Sequence, residues 1–156
     1  MKRPSNEKST ASKNTLRLWT YTEAQAAIPY LASLMRSLRE HRLEAQRLRL
    51  EAQRLAAKPG RPDRAALLIH QEAIRAASDA EGRFQEALEE LQALDIYCFD
   101  AIRGQALVPF VQNKQLAWFI YDLFDSEPLL FWRYHSDPLD RRRPVSEAKE
   151  ETTMVV

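Results

Sequence analysis

Apolar residues recur at alternating spacings of three and four over two long stretches of the chain, residues 24–55 and 66–94. This is the spacing of a coiled-coil seam, in which one stripe of each helix faces a neighbouring helix. Only His41 in the first stretch and His70 in the second interrupt the apolar series. The pattern predicts two long amphipathic helices.

Capping signals and helix breakers indicate where these helices begin and end. Thr20 and Glu23 have the spacing of a capping box, and Asp63 suits the N-cap of the second helix. Between the two stretches, Lys58–Pro62 contains two prolines and a glycine, which end the first helix. The predicted bounds of the helices are about 21–57 and 64–94.

Pro29 lies about two turns inside the first predicted helix. A proline deletes one main-chain hydrogen bond and crowds the preceding turn. Because the apolar spacing continues beyond Pro29, the sequence predicts a bend at this point within one continuous helix.

The short connection predicts that the two helices pack side by side and antiparallel. With a turn centred near Gly60, His41 lies opposite residues 77–80 and His70 lies opposite Leu50. The two histidines are then separated by about 14 Å along the helix axis, at about 1.5 Å per residue. Histidines at different levels lack the clustered ligands that a metal requires, so no metal site is predicted on the seam.

Past residue 95 the pattern changes to that of short strands, and the β region is predicted over about residues 96–135. Its apolar and aromatic runs, bounded by turn residues, are residues 96–99, 106–111, 116–122 and 129–135. Asp125–Pro128 between the last two runs predicts a β-hairpin, and Pro109 predicts an edge position because proline cannot donate to a sheet. The predicted fold class is α+β and mainly helical, with a long antiparallel helical hairpin followed by a small antiparallel sheet.

The run over residues 116–122 is apolar on both faces, with Trp118 and Ile120 on one and Phe119 and Tyr121 on the other. A strand with one wet face would alternate apolar and polar residues. One face can pack against the helices, and a second subunit is the economical cover for the other face. The sequence therefore predicts a homodimer.

The composition indicates a single domain without an obvious polyanionic partner, since 156 residues carry a net charge of +1 from 23 basic and 22 acidic side chains. The charges are nevertheless unevenly placed. Residues 36–58 hold seven basic and three acidic side chains, whereas residues 79–95 hold six acidic and one basic. The acidic stretch can offset the basic one within the predicted hairpin.

The protein is predicted to be cytoplasmic, without a membrane span or a signal peptide. No run approaches the roughly 18 to 20 apolar residues of a membrane helix, and no apolar run follows the basic residues near the N-terminus. Its single cysteine, Cys98, excludes an intrachain disulfide and a multi-cysteine zinc site. The domain is predicted over residues 16–145, between a disordered tail at 1–15 and a flexible tail at 146–156.

Several short motifs, in order, resemble the family known as domain of unknown function 2203. They are an aromatic-Thr-x-x-Glu-Ala pattern leading to a proline, a Leu-rich helix end leading through a strand to Arg-Gly, the proline of an Asp-Phe-Pro element, and a closing Trp followed by Arg and Pro. The matching segments are Trp19–Pro29, Leu91–Gly104, Pro109, and the closing set Trp132, Arg142 and Pro144. The resemblance covers about residues 16–145 and implies no established activity.

The chain departs from this family at several polar positions. Ile120-Tyr121 stands where the family has Cys-Trp, and Ser126-Glu127 stands where it has Gly-Glu. Arg133 replaces a histidine, and Leu107 replaces the aspartate of Asp-Phe-Pro. If these positions form a site in the family, this chain has lost much of it.

Two classes of function follow from the sequence. The first is a non-enzymatic structural or interaction module that forms a homodimer and can bind a protein partner. The second is a small-ligand or metal-binding protein, which could be an enzyme, with its site between the sheet and the helices. The candidate ligand-binding residues are Glu127, Trp132, Arg133 and Arg142. No catalytic residue, cofactor or metal ligand is predicted, because the chain has no Gly-rich phosphate loop, paired-carboxylate spacing or serine nucleophile elbow.

Arg141–Arg143 is the densest basic cluster and would suit phosphate or nucleic acid. Asp137 and Asp140 dilute its charge, so an ion pair or a solvated loop is favoured and nucleic-acid binding is the weakest hypothesis. His135 lacks a second histidine nearby in sequence, and Cys98 in its apolar run is predicted to be a buried hydrophobic residue.

Overall fold

Three helices open the fold in the computed structural model, which describes residues 15–148. They are α1 (Tyr21–Ala26), α2 (Ile28–Ala56) and α3 (Arg64–Gln92). Both predicted caps are confirmed. The Thr20 hydroxyl accepts from the Glu23 amide at 3.1 Å while the Glu23 carboxylate accepts from the Thr20 amide at 3.1 Å, and Asp63 accepts from the amide of Ala66 at 2.8 Å.

The first predicted helix is interrupted at Ala27, so the prediction of one continuous, bent helix was wrong. Ala27 ends α1 and precedes α2, and Pro29 lies in the first turn of α2. A proline is tolerated there because the first amides of a helix have no partner within it. The amide of Leu31 still bonds to the carbonyl of Ala27 at 2.8 Å, which keeps the two helices joined by a single turn.

The helices α2 and α3 form the predicted antiparallel hairpin. The Tyr30 hydroxyl donates to Glu90 at 2.6 Å, and Arg42 lies 3.7 Å from Glu81. Both contacts join positions close to those expected for a turn at Gly60. The short turn centred near Gly60 therefore predicted the register of the hairpin to within about three residues.

An antiparallel sheet of five strands follows in the order β1-β2-β3-β4-β5. The strands are β1 (Tyr97–Asp100), β2 (Gln105–Gln112), β3 (Gln115–Asp122), β4 (Phe131–Tyr134) and β5 (Arg143–Pro144). The predicted hairpin of β3 and β4 is confirmed, with Phe119 opposite Trp132. The sheet extends beyond the predicted limit of residue 135 because β5 adds a short edge strand.

Pro109 lies in β2, which has a neighbour on each side, but β1 ends before reaching it. The last β1 partner in β2 is Leu107, and the carbonyl of Pro109 accepts instead from the amide of Trp19 at 2.8 Å. In an antiparallel strand the amide and carbonyl of one residue point to the same side. The missing amide therefore faces the N-terminal segment, and no ladder hydrogen bond to β3 is lost.

One face of the sheet packs against the base of the helical hairpin and forms the core. The core combines large side chains of the sheet with leucines of both helices, including Phe110, Phe119, Tyr121, Trp132, Leu31, Leu38 and Leu91. Phe119 stacks on Phe110 with ring centroids 3.8 Å apart. Between Ala45 on α2 and Ala80 on α3 no residue is buried. Residues 46–79, here named the arm, therefore project beyond the sheet.

The predicted tails lie largely outside the described residues. Of the second tail, residues 146–148 are described, and Val145–Glu147 forms a 3-10 helix. Val145 and Ala148 pack against the core. Within residues 15–148 no helix combines the length and the apolar character needed to cross a bilayer.

Candidate functional site

A stripe on α3, spaced by seven residues and apolar except at Glu81, is covered at one end and open at the other. Its members are Leu67, Ile74, Glu81 and Leu88, here named the α3 stripe. Leu88 packs against the core, and Glu81 pairs with Arg42 of α2. Leu67 and Ile74 lie on the arm and each remain 50% exposed. The face of α3 that packs on the sheet at its base is thus uncovered along the arm.

The far end of the arm carries an open cleft of about 400 Å³ between the last turn of α2 and the first turns of α3. Its apolar lining includes Leu55, Pro59, Pro62, Ala66 and Leu67. Lys58 and Arg61 line this tip cleft, Arg64 follows at the start of α3, and all three cations are exposed. None of the three takes part in an ion pair with another described residue, and Asp63 is held by its capping bond.

The end of the sheet nearest the arm carries three aspartates, of which Asp100 lies 4.0 Å from Arg103. Arg39 on α2 donates to the carbonyl of Ile102 at 2.8 Å and lies over the ring of Phe124 at 5.1 Å. Phe124 is 63% exposed. The carboxylate of Asp122 accepts from the Phe124 amide, and that of Asp125 accepts from the Glu127 amide, each at 3.1 Å. Asp100, Asp122, Phe124 and Asp125 are here named the sheet end.

The face of the sheet that points away from the helices is apolar, as predicted, but its centre is shielded within one chain. A cross-strand row runs over all five strands through Tyr97, Leu107, Ile120, Phe131 and Pro144. Leu107 and Ile120 are only 5% and 6% exposed, whereas Tyr97 at the edge is 57% exposed. The need for a second subunit is therefore weaker on this face than along the arm.

The structure does not bring the four predicted ligand-binding residues together. Trp132 packs in the core and donates from its indole to the carbonyl of Pro144 at 3.0 Å. Arg133 follows it in the strand and so points to the opposite face, beside Trp118, where it is 4% exposed. Arg142 is exposed in the loop before β5.

Glu127, the fourth predicted residue, lines a cleft of about 590 Å³ beside the start of the helices. Tyr21, Gln25 and Ile28 form its helical wall, and the segment around Pro144 closes its other side. The side chains of Tyr21 and Gln25 are hydrogen-bonded to each other. Apart from Glu127 the described lining carries no charged side chain.

One arginine of the basic cluster Arg141–Arg143, Arg143, forms an ion pair with Asp137. Arg143 donates twice to Asp137, at 2.9 and 3.0 Å, and its guanidinium lies over the rings of Trp132 and Tyr134. The hydrogen bonds from Arg143 lower the pKa of the Asp137 carboxyl, and the amide of Tyr134 acts in the same direction. The sequence favoured an ion pair in this cluster, but adjacent arginines gave no sign of which one forms it.

We expect Asp137→Asn to lower the free energy of unfolding by about 1–2 kcal/mol at neutral pH, because Arg143 loses its partner. A carboxyl whose pKa is lowered by folding contributes stability above its ordinary pKa, 3.8, and loses that contribution as the pH falls through the folded value. The difference between wild type and variant should therefore shrink below about pH 4. Denaturant unfolding of the wild type and the variant at pH 7 and pH 3 measures the stability difference at each pH. A difference that is the same at both pH values would show that the ion pair does not cause it.

In the described part of the chain, the other side chains that could bind a metal or act as a nucleophile do not cluster into one site. Among residues 15–148 no group of three or more His, Cys, Asp or Glu side chains is placed to hold a metal ion. Cys98 is half-buried rather than fully buried, and burial together with Asp100 raises the pKa of its thiol. A raised pKa disfavours the thiolate that a nucleophile needs. The buried hydroxyl of Tyr121 has no hydrogen-bond partner among the described residues.

Comparison with known proteins identifies the family without supplying an activity. The profile of a family described as "Uncharacterized conserved protein (DUF2203)" matches residues 17–145, which is most of the chain. No curated protein and no solved structure matches at a significant level. The matched range includes the capped first helix, the hairpin and all five strands. The chain therefore belongs to the DUF2203 family of uncharacterised conserved proteins.

Proposed function

We propose that this protein is a non-enzymatic interaction module that works as a homodimer in the cytoplasm, and that the arm forms the dimer contact. The open half of the α3 stripe carries this proposal, because Leu67 and Ile74 are each 50% exposed on a helix face whose other end packs against the core at Leu88. Large apolar side chains that continue a packed face mark interaction surfaces more strongly than scattered ones do.

The incomplete burial of the seam between the two helices of the arm favours a helical partner. The arm has only two helices, and its seam residues are only half-buried, among them Leu48, Leu55 and Ala73. Most helical stability in proteins comes from packing an amphipathic face against another element. A second pair of helices would complete a four-helix bundle around this seam, and a second copy of the chain offers a matching stripe.

Ile74→Glu combined with Leu67→Glu should weaken dimerisation by at least about 100-fold, since each copy loses two buried side chains worth roughly 1.5–3 kcal/mol each. Glutamate is a good helix former, so the arm should stay helical. Sedimentation equilibrium at micromolar concentration should give twice 18.1 kDa for the wild type and 18.1 kDa for the variant.

Leu50→Glu is the matched control for this variant. Leu50 is 64% exposed on the side of α2 opposite the seam, so its substitution adds the same charge outside the proposed contact. The control should keep the mass of the wild type. A wild-type protein that stays at 18.1 kDa over the same concentrations would contradict the proposal.

A second candidate function is favoured by the cleft beside Glu127. A volume of about 590 Å³ falls within the usual range of small-molecule sites. Glu127 would supply a carboxylate to a cationic or hydrogen-bonding ligand there, while Trp132, Arg133 and Arg142 remain predicted contributors. Thermal-shift measurements with metal ions and metabolites test this candidate, and Glu127→Gln should abolish any shift that arises in the cleft.

A further inference from the structure

We propose that two copies dock with their arms antiparallel, so that Phe124 of each copy enters the tip cleft of the other and cations at each tip meet carboxylates of the other's sheet end. This arrangement rests on the proposed homodimer and specifies its geometry. It gives a role to an exposed aromatic side chain and to an open cleft that the fold of one chain does not explain.

Phe124 has the character of an interface side chain. It is 63% exposed, and the guanidinium of Arg39 covers one side of its ring. Asp122 and Asp125 flank it, and their carboxylates are fixed by main-chain amides. The turn is therefore rigid enough to present an aromatic ring between two negative charges. Aromatic anchors of this kind dominate the energetics of protein interfaces.

The tip cleft has complementary properties. Prolines and leucines line it together with Lys58, Arg61, His70 and the capping residue Asp63, and its volume of about 400 Å³ accommodates a phenyl ring. Arg61 lines the cleft and Arg64 lies at the adjacent start of α3, and neither has an ion-pair partner among the described residues. A ring entering between the two prolines would bring Asp122 and Asp125 toward these guanidinium groups.

The distances along the arm allow both contacts at once. The sheet end is level with Arg39, and the tip begins at Lys58, so 19 residues or about 28 Å of helix separate them. A two-fold axis halfway along this length lies between residues 48 and 49 of α2. The contact between Arg42 and Glu81 places Ile74 of α3 at that level. Ile74 would thus lie at the centre of the dimer, while Leu67 lies near the level of residue 56 of α2, in the wall of the tip cleft.

Charge disfavours the opposite orientation of the arms. Parallel arms would set the three tip cations of one copy against the same three of the other. Antiparallel arms instead set them against the aspartates of the sheet end, and the two equivalent contacts close the assembly at two copies. If Phe124 of one copy entered the tip cleft of the next without this two-fold symmetry, the copies could polymerise into filaments.

The experiment uses charge reversal at each end of the contact. The tip variant is Arg61→Glu with Arg64→Glu, and the sheet variant is Asp122→Lys with Asp125→Lys. Each alone sets like charges against each other in its own dimer, so its dissociation constant should rise at least 10-fold. Mixing the two variants pairs opposite charges at both contacts, so a heterodimer should form with an affinity near that of the wild type. Native mass spectrometry distinguishes the heterodimer from both homodimers.

Phe124→Ala tests the aromatic contact separately and should also raise the dissociation constant at least 10-fold. Leu139→Ala is its control, because Leu139 is 65% exposed in a loop away from the arm and should leave the dimer unchanged. Circular dichroism and thermal melting confirm that each variant is folded.

The outcomes separate the arrangement from the dimer itself. A dimer that Ile74→Glu disrupts but that Phe124→Ala and the tip variant leave intact would overturn the arrangement and leave the proposed function standing. Charge-reversed variants that dissociate but do not form a heterodimer on mixing would overturn the charge pairing. A monomeric wild-type protein would overturn both.

Discussion

Phe119→Ala is expected to lower the free energy of unfolding by about 3–5 kcal/mol. Phe119 is 2% exposed at the centre of β3, where it stacks on Phe110 and meets Tyr21 edge-on at 5.6 Å. Removal of the ring takes away contacts to the sheet and to α1 together, and rigid strands on either side limit how far the cavity can collapse. Denaturant unfolding monitored by far-ultraviolet circular dichroism gives the difference.

Phe99→Ala provides the comparison for this result. Phe99 lies in the edge strand β1 and is 40% exposed, so truncation of the same side chain removes less buried surface there. We expect a loss of no more than about 1 kcal/mol. Equal losses at the two positions would show that the helix-facing side of the sheet is not the centre of the core.

Gly104→Ala should destabilise the fold by about 2–5 kcal/mol, through the combined cost of left-handed backbone and overpacking. Gly104 has a φ of +70°, and an added Cβ would lie 2.6 Å from the Cβ of Leu123. A Cβ atom cannot move away without its backbone, and the amide of Leu123 is bonded to the carbonyl of Gly104 at 2.9 Å. The strain would fall on the turn between β1 and β2.

Gly60→Ala separates the cost of the left-handed backbone from the cost of overpacking. Gly60 has a φ of +92°, but no atom lies within 4 Å of an added Cβ. Its substitution should therefore cost only the conformational strain, about 1–2 kcal/mol. Thermal melts of both variants measure the comparison, and a Gly104 variant no less stable than the Gly60 variant would contradict the steric explanation.

The helical half of the fold could be predicted in detail because its signals are local. Capping depends on residues three apart, as at Thr20 and Glu23, and the hairpin register depends on a seven-residue spacing and a short turn. The interruption at Ala27 escaped prediction, because the same proline is compatible with a bent helix or with a new helix start. Apolar spacing is the same in both cases.

The sheet was predicted less completely because strand pairing depends on residues far apart in sequence. Asn113 and Lys114 form the two-residue turn between β2 and β3 with φ values of 55° and 62°, and Lys114 stands where glycine is usual. Arg143 and Pro144 join the sheet as β5 through pairing with Phe131 and Trp132, which no local pattern announces.

The candidate site followed even less from the sequence. Adjacent residues of a strand point to opposite faces, so Trp132 and Arg133 could not share one pocket wall once the strand was assigned. The open half of the α3 stripe was hidden for another reason. A seven-residue pattern does not reveal how far along the helix the sheet covers it, and Leu67 and Ile74 have the same spacing as the half-buried Leu88.

The arm also governs how this protein will behave in solution. A compact chain of 156 residues has a radius of gyration of about 15 Å, yet the tip of the arm lies about 28 Å past the level of Arg39. A monomer should therefore sediment slowly and elute early from a gel-filtration column, as a larger sphere would. In the antiparallel dimer the two arms overlap, and the two sheets lie at opposite ends of the paired arms. Association should therefore raise the radius of gyration while the particle stays elongated, which X-ray scattering in solution can follow as the concentration rises.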